Sequence, residues 1–383
     1  MKFFRVAAAA LLGNMACAIM ENDALAAQGL LKLQQHVAHS GYPDPEKCTL
    51  ENASVRREWS RLRKSEKLNF IAAVKCLGSK PAKTPAAISA GARSRYDDFV
   101  VDHILQTLSI HGTANFLSWH RYYIHAFERV LRDECGYKGH LPYWNWALTD
   151  DPHKHALLDG SETSVSGDGA YVPGRNYSCL PQATPECFIQ LPPAQGGGCI
   201  TSGPFKDWEL NVGPCRTILK GVKPNPQADC LGYNPRCLSR DLNANALITA
   251  NDELTSSLIK NYHNISTFQS AMQGDFPNAV MGVHLGGHYA IGGDAGGDFY
   301  NSPADPAFWF HHAMIDRVWW TWQNLDIATR QNAIAGTLTL GNRPPTREGR
   351  LNDTITVGYV GLPNITIADA MHTLGGPFCY IYA

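Results

Sequence analysis

Histidines set into apolar helical faces constrain this chain more than any other feature. From about Ser118 to Asp133 the helical period puts Tyr123, Ile124, Phe127 and Leu131 on one stripe with His120, while Arg121, Glu128, Arg129 and Arg132 fall largely elsewhere, so His120 points into a core. His103 sits in a second helical pattern, Tyr96 to Leu108, and His284 and His288 stand one turn apart in a third. A fourth helix has a strong start signal, Asp305 as N-cap and Pro306 in the first turn, and runs from Ala307 to Gln323 with His311 and His312 inside it. Helices bearing inward histidines predict a mainly α fold, a central four-helix bundle whose core is a metal site, joined by long loops and a few short strands.

The histidines sort into two groups, His103 with His111 and His120, and His284 with His288 and His312. Imidazole suits copper, zinc, iron and nickel. Three neutral nitrogens without a carboxylate leave coordination positions open, and dioxygen fits between two such sites. Each residue has a blander reading, because most of the 15 histidines in a chain like this pack or face water. His36, His39, His140, His153, His155, His263 and His372 are assigned to that class. The pair in "HLGGH" could chelate one ion, yet Leu285 follows His284 where the zinc-protease signature has its glutamate. Gly286 and Gly287 each cost that helix about 1 kcal/mol relative to alanine, and they are expected to keep space clear over the metal.

Of the 383 residues, 44% are hydrophobic and 17% charged, enough for one large domain with a sizeable core. A formal net charge of -1 gives no pull towards nucleic acid or an anionic membrane. Lys2 and Arg5, an apolar run from Val6 to Leu12 and the small residues Ala16, Cys17 and Ala18 read as a secretory signal peptide. It is expected over residues 1–18, with cleavage as late as residue 27, followed by a single catalytic domain over 19–383. No other stretch approaches the roughly 20 apolar residues of a membrane span.

Removing Cys17 from the 11 cysteines leaves ten, an even number in an exported chain, so disulfides are expected. Six of them lie between Cys179 and Cys237, in a Gly- and Pro-rich segment whose loops they would staple. A zinc module competes, but the spacings lack paired C-x-x-C units. Sequons at Asn52, Asn176, Asn264, Asn352 and Asn364 agree with export and predict surface positions. "ALAAQGLLKLQQHVA" is expected to be helical, and "SVRREWSRLRKSEKLNFIAAVKCL" to be a helix pair capped at Ser54 or Ser65. Residues 150–243 show little periodicity and read as loops inside the domain, with helices resuming near Asn251. "LTLGN" and "ITVGYVGLP" read as short strands and turns.

The segments "HGTANFLSWHR", His111 to Arg121, and "DPAFWFHHAMIDRVW", Asp305 to Trp319, resemble the two copper-binding signatures of the type-3 copper family of tyrosinases, catechol oxidases and haemocyanins. "RREW" at Arg56 to Trp59, "LPYWNW" at Leu141 to Trp146 and the terminal "CYIY" also look like this family, so the resemblance spans nearly the whole mature chain. It is closest to the short secreted fungal polyphenol oxidases. The resemblance implies two copper ions, one on His103, His111 and His120 and the other on His284, His288 and His312, with His311 off the metal. It implies that Phe308 packs against the ligand imidazoles and that Asp316, also one turn from His312, is an acceptor behind them. Trp119, Arg121 and Trp320 are assigned to the core and its ion pairs. The implied activity is oxidation of small phenols to quinones by dioxygen, the protein fixing ligand geometry and keeping the pocket apolar.

Three positions depart from the family pattern. Ser109 stands where many fungal tyrosinases carry a cysteine bonded to a ligand histidine, so that thioether cannot form. Gln273, in "FQSAMQG", and Leu285 stand where the family's monophenol hydroxylases commonly have the Glu and Asn that orient a water. A neutral amide is a poorer proton acceptor than a carboxylate, which favours oxidation of o-diphenols (catechols) over hydroxylation of monophenols. Tyr289 is expected to shape the pocket mouth. The alternatives are a tyrosinase with full monophenolase activity, an oxidase of methoxyphenols or aminophenols, a non-catalytic oxygen carrier and a zinc-containing structural protein. Because the chain stops at "CYIY", no C-terminal domain that plugs the pocket is expected.

Overall fold

The computed structural model of the protein describes residues 19–181, 186–216 and 221–383, and the leader expected over 1–18 lies outside them. Helices α1 (Glu21–Ser40), α2 (Lys64–Ser79), α3 (Arg95–Ile110) and α4 (Phe116–Cys135) form the first half. After a long loop region come α5 (Ala244–Leu247), α6 (Asp252–Asn261), α7 (Ile265–Gln273), α8 (Gly282–Ile291), α9 (Gly293–Gly296) and α10 (Ala307–Leu325). At the centre α4 packs against α3 and α10, and α10 against α8, while α1 lies along α10 and α7 against α8. This is the mainly α bundle that the histidine-bearing stripes predict. The strands of the described residues pair only two by two.

Local chemistry sets the ends of the core helices. Ser94 and Asp97 form a capping box at the start of α3, each side chain accepting the other's backbone N–H, at 3.2 and 2.8 Å. Gly136 closes α4 in the left-handed region at φ 65°, which a residue without a Cβ enters at no steric cost. Asp305 accepts the Ala307 N–H at 2.8 Å, as its N-cap reading requires, and also takes both arms of the buried Arg240, at 2.8 and 2.7 Å. The stripe of α4 is buried as its period dictates: Phe127 stacks flat on Trp309 of α10, ring centroids 3.7 Å apart.

The opposite face of α4 is the first correction. Arg121 and Glu128 are buried, because that face meets a second packing surface made by the C-terminal segment. Arg121 pairs with Asp316 at 2.6 Å and donates to the carbonyls of Ala370 and Met371, and Glu128 receives Arg56 at 2.9 Å. Only Arg129 and Arg132 of the four charged residues face water.

The helix expected from Ser54 is the second correction. Ser54–Arg56 is a strand, paired in parallel with Tyr380–Tyr382 and stapled beside the pairing by Cys48–Cys379. A single turn, Trp59–Arg61, follows, and α2 begins at Lys64 with Ser65 inside it; Glu66, not a serine, accepts the Arg63 N–H. Near the C-terminus "LTLGN" is a turn, and of "ITVGYVGLP" only the first residue, Ile355, lies in a strand, Thr354–Ile355, which pairs with Ile365–Thr366.

All ten cysteines after residue 18 are paired, and three bridges, Cys179–Cys187, Cys199–Cys237 and Cys215–Cys230, staple the loop region as its composition predicts. All five sequon asparagines are exposed. No helix among the described residues is long and apolar enough to cross a membrane.

Candidate metal centre

His103 lies in the middle of α3, His111 just past its end and His120 in the second turn of α4. Their Nδ1 atoms sit 2.7 Å from the Tyr300 carbonyl, 3.0 Å from that of Thr107 and 2.7 Å from that of Phe116. A carbonyl can only accept, so each Nδ1 carries the proton and each Nε2 presents a lone pair. The Nε2 atoms of His103 and His120 are buried with no hydrogen-bond partner. The three rings face one another with centroids 4.9 to 5.8 Å apart.

The second group is assembled across α8 and α10. His288 and His312 bring their Nε2 atoms within 3.0 Å of each other, and the Nε2 of His284 and the Nδ1 of His312 are buried without a partner. His311, set apart in the sequence reading, packs its ring 4.6 Å from that of His288; its Nε2 donates to the His284 carbonyl at 2.9 Å. The two groups adjoin, His120 stacking on His312 with centroids 4.6 Å apart. Burial, the largest cause at every ring, holds all six imidazoles well below their ordinary range, His111 at about 4. Neutral imidazoles with orphaned lone pairs converging on two points, and no carboxylate in either group, fit a pair of nitrogen-ligated metal ions.

His111, His284 and His288 open onto a cavity of about 530 Å³. Gln273, Leu285 and Tyr289 are also in its wall, with Phe299, whose ring lies 4.6 Å from that of His111. Asp298 underlies the loop that follows α9. Its carboxylate accepts the N–H groups of Cys215 and Arg216 at 2.6 and 2.8 Å and of Tyr300 and Asn301 at 2.8 and 3.2 Å. That loop presents the Tyr300 carbonyl to His103. Burial pushes the Asp298 carboxyl up to about 6 against these four N–H donors, which favour the anion.

Residues 93–325 match the family model of the common central domain of tyrosinase. The chain belongs to the tyrosinase family. The tyrosinase-like protein orsC of Emericella nidulans is 42% identical over 330 residues, which cover 82% of this chain and 86% of that protein. Tyrosinase P of Aspergillus terreus is 38% identical over 87% of this chain and 92% of its own length. The N-acetyl-6-hydroxytryptophan oxidase ivoB of Emericella nidulans is 36% identical over 89% and 95%. A solved polyphenol oxidase of Thermothelomyces thermophila superimposes with a TM-score of 0.89 at 39% identity, over 97% of this chain and 100% of that one. This tyrosinase-family protein is therefore an oxidoreductase of the polyphenol oxidase type, and its family implies a dinuclear copper centre.

The structure brings the six sequence-predicted histidines of this tyrosinase-family site together and corrects some of their surroundings. Phe308 stacks on His312 with centroids 4.1 Å apart, as expected. Asp316 is not an acceptor behind the imidazoles: it receives Arg121, Tyr380 and Tyr382, each at 2.6 Å, and so ties "CYIY" to α4 and α10. Gly286 and Gly287 do not clear space over the metal positions. A Cβ on Gly286 would strike Thr249, and one on Gly287 would strike the His311 ring, so these glycines admit the α5 end and the extra imidazole. Trp119 and Trp320 are core residues. Ser109 donates to the Gln106 carbonyl at 2.9 Å, and with all ten cysteines after residue 18 in disulfides no thiol among the described residues is left for a thioether. Asp298, Phe299 and Tyr300 were missed by sequence reasoning because they lie in a loop with no period to mark them.

Proposed function

We propose that His103, His111 and His120 hold one copper ion and His284, His288 and His312 the other, and that the site oxidises o-diphenols to o-quinones while dioxygen is reduced to water. The observation that carries this reading is the set of buried, partnerless imidazole nitrogens beside an open cavity wall. Bound copper supplies the redox chemistry. The protein's own part is to fix the tautomers through backbone carbonyls, to hold His312 against Phe308 and to offer the aromatic ring a largely apolar wall.

The preference for diphenols is supported by the state of the wall residues. Gln273 spends its Oε1 on the Gly112 N–H at 2.8 Å and its Nε2 on the Gln269 carbonyl at 3.1 Å, so its amide is committed to the backbone. Leu285 has no polar side-chain atom, and Asp298 is covered by four N–H groups. None of the three supplies a free general base for a monophenol. Export is supported by five disulfides and five exposed sequons. Cleavage near residue 18 rather than 27 is supported by Asn22 and Asp23, which receive Arg317 at 2.8 and 2.6 Å and would be lost with the later cut.

Oxygen uptake by the copper-loaded protein tests the reading. Catechol is expected to be turned over at once, and a matched monophenol after a lag and at least about tenfold more slowly, a difference of roughly 1.4 kcal/mol in barrier. Equal rates without a lag would sink the diphenol preference, and no uptake with catechol would sink the oxidase.

A further inference from the structure

Arg216 lines the same cavity as His111, His284 and His288, and no other Arg or Lys among the described residues does. Its backbone is pinned. The Cys215–Cys230 bridge precedes it, and its N–H and that of Cys215 donate to Asp298. Its guanidinium stands 5.8 Å from the centroid of the Tyr300 ring, within cation–π reach, and no ion pair between described residues involves it. Asp298, the one carboxylate of the wall, spends both oxygens on backbone N–H groups. The wall of a cavity lined by Leu108, Leu285, Phe276, Phe299 and Leu340 thus carries one guanidinium that forms no ion pair with the described residues. Low-dielectric walls focus such a charge on an entering anion, and a guanidinium matches the two oxygens of a carboxylate.

We propose that Arg216 binds a carboxylate on the phenolic substrate, so that the site prefers carboxylate-bearing o-diphenols to neutral ones; this rests on the oxidase reading above. A cavity of about 530 Å³ leaves room for a side chain beyond a single ring. An anchor remote from the reacting hydroxyls orients the ring as it enters.

The test uses the full copper-loaded chain with dihydrocaffeate, a catechol carrying a propanoate, and its neutral methyl ester. Anaerobic titration calorimetry on protein with its copper reduced to the cuprous state, which leaves no oxidant for the catechol, measures binding without turnover, and oxygen uptake is read separately. Wild type is expected to bind the acid about five- to tenfold more tightly than the ester, a preference that shrinks in high salt. In Arg216→Gln the ratio should collapse to about one, and Arg216→Lys should restore part of it, which a merely structural role would not do. Equal affinity of wild type for acid and ester, or an undiminished ratio in Arg216→Gln, would overturn the proposal. If the acid is preferred but neither compound is oxidised, the oxidase reading falls and the Arg216 assignment stands. If both are oxidised with equal affinity, the reverse holds.

Discussion

The two histidine groups are held by different means. In the first, every Nδ1–H has a backbone carbonyl: His111 and His120 use the carbonyl four residues back, and His103 uses Tyr300 from a distant loop. Tautomer and ring direction are therefore set by the chain itself. In the second, His312 has no acceptor for its Nδ1, and His288 and His312 aim their Nε2 atoms at each other. His288 has the backbone of Gly296 as a hydrogen-bond partner, but His312 is positioned by packing, with Phe308 stacked on it and His311 wedged beside it into the gap left by Gly287. A site fixed by hydrogen bonds should fail when an acceptor is mispositioned, and one fixed by packing should fail when space is lost.

The largest expected effect separates the halves through the loop after α9. Asp298→Asn turns an amide NH₂ towards backbone N–H groups and releases the loop that carries the Tyr300 carbonyl. Copper affinity of the first group should fall about 10- to 100-fold, as for the loss of a partner behind a metal ligand, with the second group nearly unchanged. Equal loss from both groups in copper-binding titrations would erase the distinction. A smaller effect is expected from Gly287→Ala, whose Cβ would meet the His311 ring. Overpacking costs about 1–3 kcal/mol, which outweighs the roughly 1 kcal/mol gained in helix propensity. Thermal unfolding should therefore come a few degrees lower, and copper should leave the second group first. A rise in Tm would show that the helix yields and that packing there is loose.

The smallest effect concerns histidines outside both groups. Burial lowers His125 and His372 to about 4. A folded-state value below the unfolded one, near 6.5, means that the contribution to stability is complete above about pH 6.5 and is lost as pH falls towards 4. His125→Phe should flatten the fall in Tm between about pH 7 and pH 5. An unchanged slope would show that the loss of stability in acid belongs to other groups.

What the sequence revealed follows the same division. The stripes of α3, α4 and α10, the i, i+4 pair and the cysteine-rich loops are local patterns, and their residues lie where those patterns predict. The strand at Ser54 was hidden because its partner, Tyr380, is far along the chain, and neither segment is long enough to show a period of two. The burial of Arg121 and Glu128 was hidden for a related reason, since only tertiary packing gives α4 a second buried face. Asp316 was legible as a residue one turn from His312, but not its partners, which come from the last strand. Gln273 was legible as a departure from the family, while its bond to the Gly112 N–H needed the fold.

Copper content tests the central claim most directly. After loading and removal of free metal, about two copper ions per chain are expected, falling to about one or fewer in both His120→Ala and His284→Ala. A wild-type chain that cannot hold two coppers, or two alanine variants that both keep them, would contradict the assignment of these histidines as the metal centre.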